Sequence, residues 1–205
     1  DDPGFQAMLA EIERSWGTAG FSVTASHSDF TGSVTTYSVV DVTAEDFSEF
    51  NDLLRTADPE DTLTLTVFMV QEISSSGSTI LGKAGGPPGL ATYSGTSKSG
   101  MVVTTLDLAD DPAFVGRIAA HEAGHFLGLF HTTEADPTLA QHDPISDTPQ
   151  CAASADTNAN GQLNTDECAG SGAENVMWWT NNSDAPNADF SADQGSVLRK
   201  NPLAQ

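Results

Sequence analysis

The chain has 205 residues, which is enough for one well-buried domain and too few for two large ones. Lys and Arg total 7 against 29 Asp and Glu, and a formal net charge of −22 argues against a nucleic-acid partner because such a surface repels phosphate. No apolar run approaches the roughly 18–20 residues of a membrane span, and no signal-peptide pattern is present, so any export signal would already have been removed.

Helix and strand patterns alternate in the first part of the chain. Apolar residues at helical spacing predict a helix over 3–17, ended by Gly17 and Gly20. Residues 62–73 begin by alternating and become continuously apolar, which predicts one strand in a sheet interior. Three further elements are expected on shorter patterns: a half-buried strand over 21–25, a strand around 34–40 and an acidic helix around 44–56.

Residues 82–89 are rich in Gly and Pro. Pro87 and Pro88 cannot donate ladder hydrogen bonds, so this stretch is either an edge segment or a surface loop at the rim of the fold. The overlapping stretch 77–84 nearly matches a phosphate-binding P-loop. It lacks the final Ser or Thr and cannot begin a helix, and we reject phosphate binding there.

A strand and a long helix precede a long irregular stretch. Residues 100–106 have the pattern of a strand, and a helix with an apolar face is expected to begin near Pro112 and to end at Gly128. Residues 131–189 are polar and lack periodicity, and loops of such length are usually functional or held by metals and disulfides. A last short helix is expected, with Ser191 as its N-cap.

Three histidines within residues 121–131 have the spacing of metal ligands. His121 and His125 are four residues apart on the predicted helix, so their rings lie on one face and can share a zinc ion. Gly128 allows the chain to turn and to bring His131 round as third ligand. A fourth position stays open for water, as in catalytic sites, and Glu122 can reach that water as general base.

The two cysteines, Cys151 and Cys168, lie in a polar loop rich in Gly, Asn and Asp. A local disulfide formed in an oxidising compartment is the favoured interpretation, and it points to a secreted or extracellular protein in its mature form, without a signal peptide. Two unrelated buried thiols are the alternative.

Residues 156–167 match the 12-residue EF-hand calcium loop position by position. Gly161 would make the sharp turn, and a structural calcium ion would receive oxygen ligands from Asp156, Asn158, Asn160, Gln162 and Glu167. The flanking helices of an EF-hand are not evident. The alternative is a soluble loop that binds no ion.

The zinc motif, together with Met177 in the stretch 174–179, resembles the metzincin metallopeptidases, and the pappalysin-like branch is the closest match. The residues that support this branch are Thr132 after the third histidine, Asp147-Thr148-Pro149, and residues 190–194. The resemblance implies an α+β zincin fold with a mixed twisted sheet, two long helices above an active-site cleft and an irregular C-terminal subdomain.

The same resemblance gives roles to parts of the chain. Met177 would form a hydrophobic floor under the histidines, in a Met-turn, and the segment 82–93 would follow the rim of the cleft, where it could pair with a substrate backbone. Residues 1–205 would be a single catalytic domain, with an N-terminal subdomain over 1–130 and a C-terminal subdomain over 131–205.

Trp179 marks a departure from several metzincins, which have a Tyr two residues after the Met; an indole offers only an N–H. By the same resemblance, Trp179, Asn181 and Asn182 would help to form the pocket that receives the substrate side chain.

We therefore expect a secreted zinc endopeptidase that acts on peptides or proteins. Two alternatives remain. One is a calcium-stabilised binding or adhesion module on a silent peptidase scaffold, and the other is a zinc hydrolase of non-peptide amides.

Overall fold

The computed structural model describes residues 2–28, 37–43, 48–60, 63–139, 142–181 and 189–204. The helices in these ranges are α1 (Pro3–Thr18), α2 (Ser48–Leu54), α3 (Pro112–Leu127) and α4 (Ala192–Leu198), with a 3-10 turn at Ala153–Ala155. The strands are β1 (Val39–Asp41), β2 (Val67–Val70), β3 (Glu72–Ser75), β4 (Ser78–Ile80), β5 (Gly82–Ala84) and β6 (Met101–Thr104). No described helix is both long and apolar enough to cross a membrane.

The helix ends follow local capping rules. The carboxylate of Asp111 accepts from the Phe114 amide at 2.9 Å, Pro112 occupies the first turn, and α3 ends at Gly128, whose φ of 111° is open to glycine at little cost. Ser191 caps α4 in a capping box with Gln194. The caps at Asp111 and Ser191 confirm the predicted starts of α3 and α4.

The six strands of the described ranges form two three-stranded sheets, ordered β1-β3-β4 and β2-β6-β5, each with one parallel and one antiparallel pair. The prediction of one strand over 62–73 is wrong, because the chain changes sheets at Gln71. The Gln71 and Glu72 amides both donate to the Ser38 carbonyl, at 2.9 and 3.1 Å, and the ladder passes from β6 to β1 there. β5 lies at a sheet edge, which confirms the edge interpretation for that part of the Gly-rich segment.

Two other strand and helix predictions need correction in extent. Residues 21–28 form no strand; Phe21 is half-buried because its ring packs edge-on against Trp16, with 5.7 Å between centroids. The partial burial of Phe21 and Val23 therefore comes from side-chain packing and not from pairing with another strand. β1 and α2 fall within the predicted ranges 34–40 and 44–56 or one residue beyond, and the positions 34–36 and 44–47 lie outside the described residues.

The main core lies between the sheet of β6 and the packed pair α1 and α3. Met101 and Val103 of β6 face this core together with Val115 and Ile118 of α3. A second core on the other face of the sheet contains Val102 and residues of α2. The mixed sheets, the two 16-residue helices and the irregular C-terminal part confirm the expected zincin-like α+β fold.

The irregular C-terminal part is held by a disulfide between Cys151 and Cys168, 17 residues apart. The disulfide packs in a small third core with Leu163, Ala173 and Trp178. The favoured pairing is confirmed, and the free-thiol alternative is excluded.

Candidate metal centre

Three histidines converge where α3 ends. His121 and His125 share one face of the helix, and the left-handed Gly128 reverses the chain, so that the Leu129 amide donates back to the Gly124 carbonyl at 2.9 Å. This turn brings His131 against the other two rings. The ligand atoms of the three histidines all lie within 4.8 Å of one another, and among the described residues no other three His, Cys, Asp or Glu side chains come together in this way.

Each imidazole is fixed through its Nδ1 atom. His121 Nδ1 lies 2.7 Å from the Val176 carbonyl oxygen, and His125 Nδ1 lies 2.8 Å from that of Leu129. Carbonyl oxygens only accept, so both Nδ1 atoms carry a hydrogen and donate it. Each Nε2 therefore presents a lone pair.

The third ring is held by a carboxylate. His131 Nδ1 lies 3.0 Å from Glu134 Oε1, an acceptor that likewise leaves Nε2 as the lone-pair nitrogen. Sequence reasoning missed Glu134. The signal that could have found it is its position three residues after a ligand, because histidine ligands commonly donate their second nitrogen to a carboxylate.

The Nε2 atoms of His125 and His131 are 3.1 Å apart. With both Nδ1 atoms protonated, two lone pairs face each other at this distance, an arrangement that repels unless a cation lies between them. Tetrahedral zinc with Zn–N bonds of 2.0–2.1 Å would place two ligand nitrogens about 3.3 Å apart. The donor set and its spacing fit zinc held by His121, His125 and His131.

Burial keeps the His121 and His125 rings neutral. Desolvation, reinforced by the neighbouring imidazoles, lowers the pKa of His121 well below its usual value. The same causes, desolvation first and then His131, lower the pKa of His125 to about 4. Neutral imidazole is the form that binds a metal.

Met177 lies directly under the zinc helix and is fully buried. Its sulfur contacts the backbone of Gly124, so closely that a side chain at position 124 would overlap it. The Met177 amide donates to the Asn175 side-chain oxygen at 2.8 Å, and its carbonyl accepts from the Thr132 amide at 2.9 Å. Met177 thus joins the helix to the segment that follows His131.

Glu122 is buried on the face of α3 that meets the edge strand β5. Burial raises the pKa of Glu122 to about 7, although the nearby Lys83 ammonium and a hydrogen bond from the Ala84 amide both act to lower it. The carboxylate therefore changes charge near neutral pH.

This raised pKa gives a stability prediction for zinc-free protein. A buried carboxyl group with a raised pKa folds best when protonated, so its ionisation destabilises the fold as pH rises from its unfolded pKa of 4.5 through its folded pKa of about 7. We expect Glu122→Gln to gain about 2.5 kcal/mol in unfolding free energy relative to wild type between pH 5 and pH 8. Urea unfolding of both zinc-free proteins at several pH values measures this difference, and a constant difference would contradict it.

The loop 156–167 is closed by hydrogen bonds between its own side chains and amides. The Asp156 carboxylate accepts from the amides of Asn160 and Gly161, at 3.1 and 3.0 Å, and Gly161 has a φ of 78°. Glu167 accepts from the amides of Thr157 and Asn158. Asp156 and Glu167 stand at opposite ends of the motif, and both carboxylates accept hydrogen bonds from backbone amides within residues 157–161.

Leu163 connects this loop to both sides of the zinc site. Its amide donates to the Ala135 carbonyl at 2.8 Å, just beyond Glu134. Its carbonyl accepts from the Trp179 indole at 3.0 Å, two residues after Met177. The indole N–H of Trp179 is therefore engaged with the loop. Asn181 is half-buried, and Asn182 lies outside the described residues.

Comparisons with known proteins agree with this geometry. The family model Peptidase_M43, described as pregnancy-associated plasma protein-A, matches residues 59–202. An extracellular metalloprotease of Arthroderma otae is 34% identical over 61 residues, which are 30% of this chain and 22% of that relative. The chain thus spans only about a fifth of the length of the curated relative that it matches.

Proposed function

The chain belongs to the Peptidase_M43 family (pregnancy-associated plasma protein-A), and from this premise we propose that it is a secreted zinc-dependent endopeptidase with Glu122 as general base. The observation that carries the proposal is the convergence of three Nε2 lone pairs whose rings are each fixed through Nδ1. The family and this triad together support zinc. The disulfide and the extracellular relative support secretion.

The chemistry divides between the metal and the chain. Zinc, when bound, polarises a carbonyl group and makes water more acidic. Glu122 takes the proton of the attacking water on its carboxylate and delivers it to the leaving amine nitrogen.

The edge strand β5 supplies a binding surface for an extended peptide. Among the described residues β5 is the edge strand of its sheet and pairs with β6. A substrate backbone can add along the outer edge of β5 as a further strand, next to the Ala84 amide that donates to Glu122. Gly85–Gly89 continues from this edge across the end of α3, where the Gly89 amide donates to the Phe126 carbonyl at 2.8 Å. Such backbone pairing favours peptides and proteins as substrates over small amides.

A structural calcium ion in the loop 156–167 forms part of the proposal, with Asp156, Asn158, Asn160, Gln162 and Glu167 as ligands. Its support is that side-chain oxygens of Asp156, Asn158, Asn160 and Glu167 all accept hydrogen bonds from backbone amides of this one loop. Because Leu163 links this loop to the residues after His131 and Met177, ordering the loop would also steady the zinc site.

Calcium should therefore raise thermal stability. At a concentration 100 times its dissociation constant, an ion that binds only the folded state adds about 2.7 kcal/mol, which corresponds to an increase in Tm of about 5–10 °C in a chain of this size. Thermal unfolding of zinc-loaded protein with calcium or with magnesium measures it. Glu167→Gln should weaken the response; an equal Tm with and without calcium would count against the site.

The proposed function is tested by incubating an unfolded protein mixture with zinc-loaded protein, with chelated protein and with chelated protein after zinc is restored. Cleavage that disappears on chelation and returns with zinc supports the endopeptidase, and the fragment ends report its specificity. Absence of cleavage by zinc-loaded protein would overturn it in favour of a binding module on a silent scaffold.

A further inference from the structure

The side chain of Glu122 rests directly on the backbone of β5. A Cβ atom added to Gly82 would lie 2.5 Å from Glu122 Cγ, 2.9 Å from its Oε1 and 3.0 Å from its Cδ. Real Cβ atoms do not approach other atoms this closely, so the glutamate occupies the space that any side chain at position 82 would need.

The register of β5 explains why Gly82 faces the zinc helix. In antiparallel pairing Gly82 lies opposite Val103 and Ala84 opposite Met101, and both partners belong to the core shared with α3. Lys83 lies opposite Val102, which belongs to the core on the other face of the sheet. Position 82 therefore points at α3, and its neighbour at 84 donates its amide hydrogen to the Glu122 carboxylate.

The helix cannot move away to admit a larger residue. α3 packs on α1 at Gly116, where an added Cβ would lie 2.7 Å from the Met8 carbonyl oxygen. On the other side Met177 contacts Gly124. With α3 held by both contacts, a side chain at 82 would have to displace the carboxylate of Glu122 rather than the helix.

We propose that Gly82 is a positioning residue for the general base, and that glycine is required there so that β5 can hold the Glu122 carboxylate in its reactive position. This inference rests on the proposed function for the role of Glu122. Gly82 lies on β5, outside the zinc motif and 40 residues before Glu122 in the chain. Through this contact, the strand that would bind substrate also positions the group that moves the proton.

The test is a double-mutant cycle on zinc-loaded protein with Gly82→Ala and Glu122→Ala, separately and together. Overpacking by one methyl group should lower the Tm of Gly82→Ala by about 4–8 °C relative to wild type. In the Glu122→Ala background the space is vacant, so the same change should alter Tm by less than about 2 °C. Gly17→Ala is the matched control, because an added Cβ there meets nothing within 4 Å.

Kinetics give the second readout. Gly82→Ala should retain zinc and KM but lose roughly 100-fold in kcat, because misplacement of a catalytic group by about 1 Å can cost this factor. A kcat within twofold of wild type, or an equal loss of Tm in both backgrounds, would overturn the proposal. The Tm cycle needs no substrate, so it decides the contact between Gly82 and Glu122 even if the wild type cleaves no peptide, an outcome that would instead refute the proposed function.

Discussion

Replacing Glu122 with Gln is expected to lower kcat by about 10²–10⁴-fold, the range that general acid–base catalysis contributes. The amide keeps nearly the same shape in the space beside Gly82 but cannot accept a proton from water. The three histidines and their Nδ1 partners are untouched by the change. Zinc content should therefore stay at the wild-type value while turnover is lost.

The measurement is cleavage of one peptide, chosen from the fragment ends, by zinc-loaded wild type and Glu122→Gln, with zinc quantified in the same samples. Glu13→Gln is the control, because it makes the same chemical change at an exposed position of α1. Substantial turnover by Glu122→Gln with full zinc occupancy would refute the role of Glu122. Loss of zinc from the variant would show that its carboxylate acts mainly on the metal site.

Replacing His131 with Ala is expected to reduce zinc affinity by roughly 10³-fold or more, because it removes one of three ligands. Replacing Glu134 with Ala should reduce it by only about 10–100-fold, since this removes the acceptor that orients His131 and leaves the ligand itself. The difference between the two losses of zinc affinity distinguishes a zinc ligand from the residue that orients it.

Competition with a chromophoric chelator measures both affinities without any substrate. Glu134→Gln is the conservative control, because its amide oxygen can still accept from His131 Nδ1, and it should recover most of the affinity lost in Glu134→Ala. Equal affinities for His131→Ala and wild type would remove His131 from the site. An unchanged affinity in Glu134→Ala would show that the backbone alone orients the third ring.

The zinc site illustrates which features a sequence pattern can predict. The relation of His121 to His125 and the end of α3 at Gly128 are local: helix geometry fixes the first, and the freedom of glycine at positive φ fixes the second. Local capping likewise predicts the start of α4 at Ser191.

Strand patterns were less informative. Alternation at residues 21–25 reports that Phe21 is half-buried, and packing on Trp16 satisfies this without a sheet. The apolar run over 62–73 indicates burial, but it does not show whether its residues belong to one sheet or to two. Burial is recorded in composition, but the choice of hydrogen-bond partner depends on residues far away in the chain, such as Ser38 at the break between β2 and β3.

The sequence by itself determined the grouping of His121, His125 and His131, and the helix that carries the first two of them together with Glu122, because these depend on spacings of a few residues. Only the tertiary structure decided that Val176, 55 residues from His121, fixes its tautomer, that Gly82 makes room for Glu122, and that Leu163 joins the loop 156–167 to Trp179. Each of these is a close approach between distant segments. Such approaches follow from how the sheets, helices and disulfide pack together, which no local period encodes.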